Sequence, residues 1–170
     1  MSHIDTVAPD RSTVAVPAGE TWDFTTESTL VRQLAANARV HPTRAAFREK
    51  DLGIWQETSW VAALDMVLGC AAGLEALGFK AGDAALILGD NRPRLYLGML
   101  AVGALGGYAM PVYPDATPDE IRHFTQEAQA RYAIAEDQEQ VDKVLDLREH
   151  GAAIEHIVYD DPRGLASYPQ

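Results

Sequence analysis

Residues 84–113 read AALILGDNRPRLYLGMLAVGALGGYAMPVY. Ala84–Leu88 is a short continuous apolar run bounded by Gly89-Asp90-Asn91, the mark of a buried strand that stops at a turn. Asn91 is placed to cap a following helix, with Pro93 in its first turn. Leu95, Met99, Val102 and Leu105 then recur at helical spacing, and Gly106-Gly107 ends the run. Tyr108–Tyr113 predicts the next strand. Its Pro111 has no N–H, so that position belongs at an edge, a bulge or the last pairing of the strand.

The same alternation continues downstream. Thr117-Pro118-Asp119-Glu120 combines a threonine cap, a proline at the first helical position and a glutamate three residues after the cap. Its two acids also oppose the positive end of the helix dipole. Ile121, Phe124 and Ala128 predict that helix's buried stripe. Tyr132–Ala135 is a further strand. Asp137 with Gln140 caps a helix that turns Val141, Val144 and Leu145 inward, Gly151 ends it, and Ile154–Tyr159 makes a last strand. Strand and helix in strict alternation predict an α/β fold. The expected architecture is a mostly parallel sheet with right-handed βαβ crossovers and flanking helices. Ligands on such sheets sit beyond the carboxyl ends of the strands. That singles out the loops Gly89-Asp90-Asn91, Tyr113-Pro114-Asp115, Glu136-Asp137 and Asp160-Asp161.

Upstream, residues 28–83 predict a helix, a hairpin and a second helix. The first helix starts near Ser28, carries Leu30, Val31, Leu34 and Ala38, and stops before His41-Pro42. Ala46–Glu49 and Ile54–Thr58 form the hairpin around Asp51-Leu52-Gly53. Trp60–Gly78 is the second helix, with Val61, Leu64, Leu68, Ala71 and Leu74 as its stripe. Gly69 and Gly73, four apart, suggest close approach of a neighbour. Residues 1–27 read as a flexible leader whose Trp22 and Phe24 dock on the body. The expected organisation is this leader followed by an incomplete α/β domain over residues 28–170, divided into segments 28–83 and 84–170.

Hydrophobic residues make up 47% of the 170 and charged residues 23%, which excludes collagen-like or wholly disordered sequence. Fourteen Lys and Arg stand against 25 Asp and Glu, a net charge of −11. Such a surface repels phosphate backbones and anionic lipid, which argues against nucleic-acid binding. The single cysteine, Cys70, rules out an intrachain disulfide, fits a cytoplasmic location and reads as a small buried hydrophobe. Leu95–Pro114 holds no formal charge over 20 residues. Its glycine pair and Pro111 nevertheless divide it into helix, turn and strand rather than a transmembrane segment.

No catalytic constellation emerges from the residues. G-x-x-x-x-G-K-[ST] is absent, and Gly103, Gly106 and Gly107 end a helix rather than begin one. His3, His41, His123, His150 and His156 form no ligand pair, so surface or capping roles are expected. Ser59 and Ser167 lack the G-x-S-x-G elbow. Glu136, Asp137, Glu139, Asp142 and Asp146 read as a solvated helix face. Asp90 and Asp115 are the most suggestive acids, since their loops fall at strand ends, yet turn and cap duty explains them as well. No catalytic, cofactor-binding or metal-binding residue is assigned.

Three segments taken together resemble the start of adenylate-forming (AMP-binding) enzymes. They are Thr58-Ser59-Trp60 with Leu77-Gly78-Phe79-Lys80-Ala81-Gly82-Asp83, then Leu88-Gly89-Asp90-Asn91-Arg92-Pro93, then Ala104-Leu105-Gly106-Gly107-Tyr108-Ala109-Met110-Pro111-Val112-Tyr113-Pro114. Glu136-Asp137-Gln138-Glu139-Gln140-Val141-Asp142-Lys143 and Ile157-Val158-Tyr159-Asp160-Asp161-Pro162-Arg163-Gly164-Leu165 are similar to bacterial long-chain fatty acid–CoA ligases. The resemblance spans about residues 28–168. It implies a two-step reaction in the full-length enzymes. ATP, Mg²⁺ and a fatty acid give an acyl-adenylate and pyrophosphate, and coenzyme A then displaces AMP. The family's phosphate loop with its lysine, adenine motif, ribose-binding aspartate and catalytic lysine have no counterpart here. What matches is scaffold from the large N-terminal domain, including one flank of the acyl pocket.

The expectation is therefore an N-terminal fragment or truncated product of an acyl-CoA synthetase, inactive by itself. Its partner would be the remainder of the synthetase chain, or a second copy joined through an exposed sheet edge. A free-standing α/β interaction or small-ligand-binding module is the alternative.

Overall fold

The structure, a computed structural model, describes residues 29–168. The expected leader, the docking of Trp22 and Phe24, and the Ser28 cap lie outside these residues. Helix α1 (Leu30–Val40) starts instead from Thr29, whose side chain accepts from the Arg32 N–H at 3.2 Å. Strands β1 (Ala45–Asp51) and β2 (Ile54–Ser59) form the expected antiparallel hairpin. Helix α2 (Trp60–Ala76) follows directly, capped by Ser59. Then come β3 (Ala84–Leu88), α3 (Pro93–Ala104), β4 (Tyr108–Val112), α4 (Pro118–Glu127), β5 (Tyr132–Ala135), α5 (Gln138–Glu149) and β6 (His156–Tyr159). The last strand begins at His156 rather than Ile154, which is buried ahead of it. The uncharged run 95–114 is helix, glycine turn and strand. Among the described residues no helix is long and apolar enough to cross a membrane.

Strands β3 to β6 form one parallel sheet in the order β4-β3-β5-β6. β3 lies inside it and all five of its residues are buried. Because side chains alternate along a strand, its two faces feed two cores. Ala85 and Ile87 pack with Leu34 of α1, Val67 and Leu74 of α2, and Leu97, Ala101 and Val102 of α3. Leu86 and Leu88 pack with Ile121 of α4 and with Val144 and Leu147 of α5. The result is three layers, helices over sheet over helices, with the hairpin's Ala46 and Phe47 against the first core. Each fully buried Leu or Ile contributes roughly 1.5–3 kcal/mol of hydrophobic stabilisation.

The chemistry of Pro111 explains its place. β4 is an edge strand, and the Tyr108 N–H donates to Asp83 of the β3 side at 2.9 Å. In a parallel ladder alternate residues face the partner, so Ala109 and Pro111 turn outward. The missing N–H is thus one that the sheet does not use.

The helical stripes shift from expectation. In α2, Ala63, Val67, Ala71 and Leu74 are buried, whereas Val61 and Leu68 are exposed. The run is apolar all round, so periodicity does not fix its phase. In α4, Thr125 is buried in place of Phe124, its hydroxyl donating to the Ile121 carbonyl at 2.7 Å. In α5, Leu147 rather than Leu145 is fully buried. Asn91 does not cap α3. The cap position is Arg92 without a side-chain bond, and the Asn91 Oδ1 accepts from the Tyr96 hydroxyl at 3.2 Å. The threonine capping box on α4 and the Asp137 cap on α5 form as expected.

The glycines separate in the same way. A Cβ on Gly107 would meet the Phe79 ring at 2.5 Å and the Asp83 carbonyl at 2.8 Å. Gly69 and Gly73, expected to admit a neighbour, have nothing within 4 Å of such an atom. Their spacing is incidental to packing. Gly107→Ala is therefore expected to lose about 1–3 kcal/mol. Gly69→Ala and Gly73→Ala are each expected to gain about 0.5–1 kcal/mol, because alanine favours a helix interior. Urea unfolding of the three variants checks both signs.

Candidate functional site at the carboxyl edge of the sheet

From β3 the chain runs outward through α3 to β4, and from β5 it runs the other way through α5 to β6. The strand order therefore reverses between β3 and β5. A crevice forms at such a point in open α/β sheets, beyond the carboxyl ends of the strands. Here it is a cleft of about 660 Å³, walled by the ends of β5 and β6, the start of α3 and the hairpin β1-β2.

Glu136, the residue after β5, closes the reversal point. Its N–H donates to the Leu88 carbonyl at 2.9 Å. Its Oε2 accepts from the Asp90 N–H at 2.5 Å, and its Oε1 meets the Arg92 Nε at 2.7 Å. The side chain is only 16% exposed. Gly89 makes this contact possible. It has φ +155°, and a Cβ there would lie 2.6 Å from the Glu136 Cβ. The other arginines of the cleft are held likewise. Arg94 pairs with Asp160 at 3.3 Å, and Arg163 pairs with Asp161, whose Oδ2 accepts from Nε at 2.7 Å. The hydrogen bonds from the Arg163 side chain and N–H hold the Asp161 carboxyl below its ordinary value, and Asp161 in turn raises the Arg163 guanidinium.

The cleft presents seven acids, Glu49, Asp51, Glu57, Glu136, Asp137, Asp160 and Asp161, against Arg92, Arg94 and Arg163. Every one of those arginines already binds a carboxylate. These residues do not fit a nucleoside triphosphate, which requires cations aimed at its phosphates. No group of three His, Cys, Asp or Glu among the described residues could hold a metal ion.

Of the four loops singled out from sequence, those at Glu136-Asp137 and Asp160-Asp161 line the cleft. Asp90 enters through its backbone alone. Asp115 lies beyond β4, with β3 between it and the reversal point. The acids expected on one solvated face divide among separate tasks. Asp137 caps α5, Glu139 pairs with Lys143 at 2.8 Å, Asp142 accepts from the Tyr168 hydroxyl, and Asp146 meets His150 at 3.4 Å. His156 stacks on Tyr132 with ring centroids 5.2 Å apart. Cys70 is half-buried against the first core, and burial pushes its thiol up, as suits an inert side chain. The convergence of Arg92, Arg94 and Arg163 was not legible in the sequence. The only available signal was their position beside strand ends.

Two outcomes follow for stability. Glu136→Ala leaves the Asp90 N–H and the Arg92 guanidinium without their acceptor and is expected to cost about 1–2 kcal/mol. Glu136→Gln, which keeps an acceptor, should cost less; thermal unfolding ranks the two. The second outcome concerns acid. Arg131 holds Glu155 below its ordinary 4.5, Lys143 does the same for Glu139, the Thr117 N–H and hydroxyl for Glu120, and Arg163 holds Asp161 below 3.8. Depressed carboxyls bind fewer protons folded than unfolded, so their stabilisation is complete above these ordinary values. It is lost as the pH falls through the lower folded values. The urea midpoint should hold steady down to about pH 5 and then fall. Arg131→Leu should flatten part of that slope.

Comparison with known proteins places this geometry. The family profile described as AMP-binding enzyme matches residues 34–168. A long-chain-fatty-acid–CoA ligase of Mycobacterium bovis is 24% identical over 106 residues, covering 62% of this chain and 18% of the relative. 4-Coumarate–CoA ligase 4 of Arabidopsis thaliana is 32% identical over 97 residues, covering 57% and 17%. In structure, the chain is similar to the N-terminal domain of FACL13 from Mycobacterium tuberculosis. The TM-score is 0.68 at 18% identity, over 77% of this chain and 33% of that one. The chain thus spans under a fifth of the length of these curated relatives. Its parallel sheet, its flanking helices and the match across most of its length agree, and the chain belongs to the family of AMP-binding enzymes.

Proposed function

We propose that this chain is the N-terminal scaffold portion of an ATP-dependent acyl-CoA synthetase and is catalytically incompetent alone. In the complete enzyme a carboxylic acid, ATP and coenzyme A would give acyl-CoA, AMP and pyrophosphate. The single observation that carries the reading is the state of the carboxyl-edge cleft. It stands where an α/β sheet offers a ligand site, yet Arg92, Arg94 and Arg163 are each committed to a carboxylate. Adenylation needs free cations to offset charge at the α-phosphate while the acid is held in line. These 170 residues contain no lysine-bearing phosphate loop to supply them. The role left to the chain is positional. Its buried sheet presents the strand ends against which the remaining polypeptide, with its ATP, Mg²⁺ and coenzyme A sites, would be built.

A long-chain fatty acid is the substrate this reading favours, from the similarity to the mycobacterial ligase and the segments around Glu136–Lys143 and Ile157–Leu165. A cytoplasmic location accords with the lone cysteine.

ATP–pyrophosphate exchange tests the reading. The purified chain, given palmitate, ATP and Mg²⁺, is expected to show no exchange above a protein-free blank, and calorimetry should detect no stoichiometric ATP uptake. Exchange that depends on the added acid would overturn it.

A further inference from the structure

We infer that residues 160–168 form a strap, latched to α5 by the Tyr168 hydroxyl, that holds Asp161 beside the Arg92–Glu136 pair and so sets how much positive charge the cleft presents. Tyr168 is then a positioning residue for the cleft, although it does not line it. The chain does not leave the sheet where β6 ends. The Asp160 N–H donates to the Ala135 carbonyl at 3.1 Å, and the Asp161 N–H to the Glu136 carbonyl at 2.8 Å. Glu136 therefore receives Asp161 on its backbone and Arg92 on its side chain. Pro162 and the Arg163–Asp161 pair complete that wall of the cleft. The Arg163 side chain and N–H hold the Asp161 carboxyl below its ordinary value, and the charge of Arg92 adds to that effect.

What fastens the strap lies away from the cleft. Its turn is closed by the Leu165 N–H, which donates to the Pro162 carbonyl at 3.1 Å. Leu165 is buried with Ala135 and Val141. The Tyr168 hydroxyl donates to the Asp142 Oδ1 at 2.5 Å and accepts from the Gln138 Nε2 at 3.0 Å. Gln138 and Asp142 are four residues apart and so share one face of α5. Gly164 has φ +82°, and a Cβ there would strike the Gln138 amide. That amide is fitted between the turn of the strap and its latch.

The strap is also the weakly held part of the wall. One buried side chain and two exposed side-chain hydrogen bonds secure it, whereas all four residues of the adjoining β5 are buried. A segment with few buried contacts opens at less cost than the whole fold. On opening, Arg92 keeps its bond to Glu136 but loses the neighbouring charge of Asp161.

The test uses the whole chain. Tyr168→Phe keeps the ring and removes the hydroxyl. Amide exchange at Asp161 and Leu165 is expected to quicken about tenfold, with the amides of β3 unchanged. Leu165→Asp places a charge in the apolar socket and holds the strap open. Carbon-13 NMR then follows the Asp161 carboxyl. Arg92→Gln should raise its pKa in the wild-type chain and leave it unmoved in the Leu165→Asp chain. If Leu165→Asp fails to fold, the exchange comparison and the Arg92→Gln titration of the otherwise wild-type chain still decide. Unchanged exchange in Tyr168→Phe, equal quickening in β3, no effect of Arg92→Gln on Asp161, or the same effect in both chains would each overturn the inference. None of these results bears on the ATP–pyrophosphate assay for catalytic incompetence, so the two readings fail separately.

Discussion

Complete burial of β3 is the constraint from which the rest of this structure follows. Ala84–Leu88 has neighbours on both edges and helices on both faces, and none of its five residues reaches solvent. Such a strand exposes no polar face, so it is stable only when both layers assemble. The alternation of Ala85 and Ile87 with Leu86 and Leu88 distributes its hydrophobic surface to two helical layers. Gly107 extends this dependence to the edge. Without a Cβ it lets β4 begin against the Phe79 ring and the Asp83 carbonyl, bringing the edge strand into register beside β3.

The carboxyl edge shows the same economy in charge. Glu136 ties the end of β5 to the Leu88 carbonyl, to the Asp90 N–H and to Arg92. That one carboxylate joins the two strands between which the connections reverse. The contact depends on Gly89, whose missing side chain leaves room for it. A site built this way is well ordered, with each of its three arginines paired to a carboxylate and an excess of acids beside them.

The chemistry of single backbone atoms also distinguishes the two sides of the sheet. Pro111 is tolerated because its absent N–H faces away from β3, and the same absence closes that edge to a further strand. No such device protects β6. The edges of one sheet therefore differ in the backbone donors they carry, although both are short, parallel and made largely of apolar residues.

Strand and helix order, the capping box at Thr117, the Asp137 cap and the need of Pro111 for a position that uses no N–H were legible in the sequence. Each is a local rule in which a residue type meets a backbone requirement within a few positions. Other features were not legible. The phase of α2 is not fixed by its sequence because its apolar residues surround the helix, and only the placement of α1 and α3 selects Val67 over Leu68. Thr125 replaces Phe124 because its hydroxyl bonds within its own helix, which removes the cost of burial. Nor could spacing show that Gly107 touches an aromatic ring while Gly69 and Gly73 touch nothing. The pairing of Arg92, Arg94 and Arg163 with Glu136, Asp160 and Asp161 joins residues that meet only when strand ends are brought together. Sequence by itself determined the layered α/β scaffold, because periodicity and caps act over one turn or one strand. Tertiary structure alone decided which faces are buried and which charges are already neutralised, because both depend on contacts between segments that are distant in the chain.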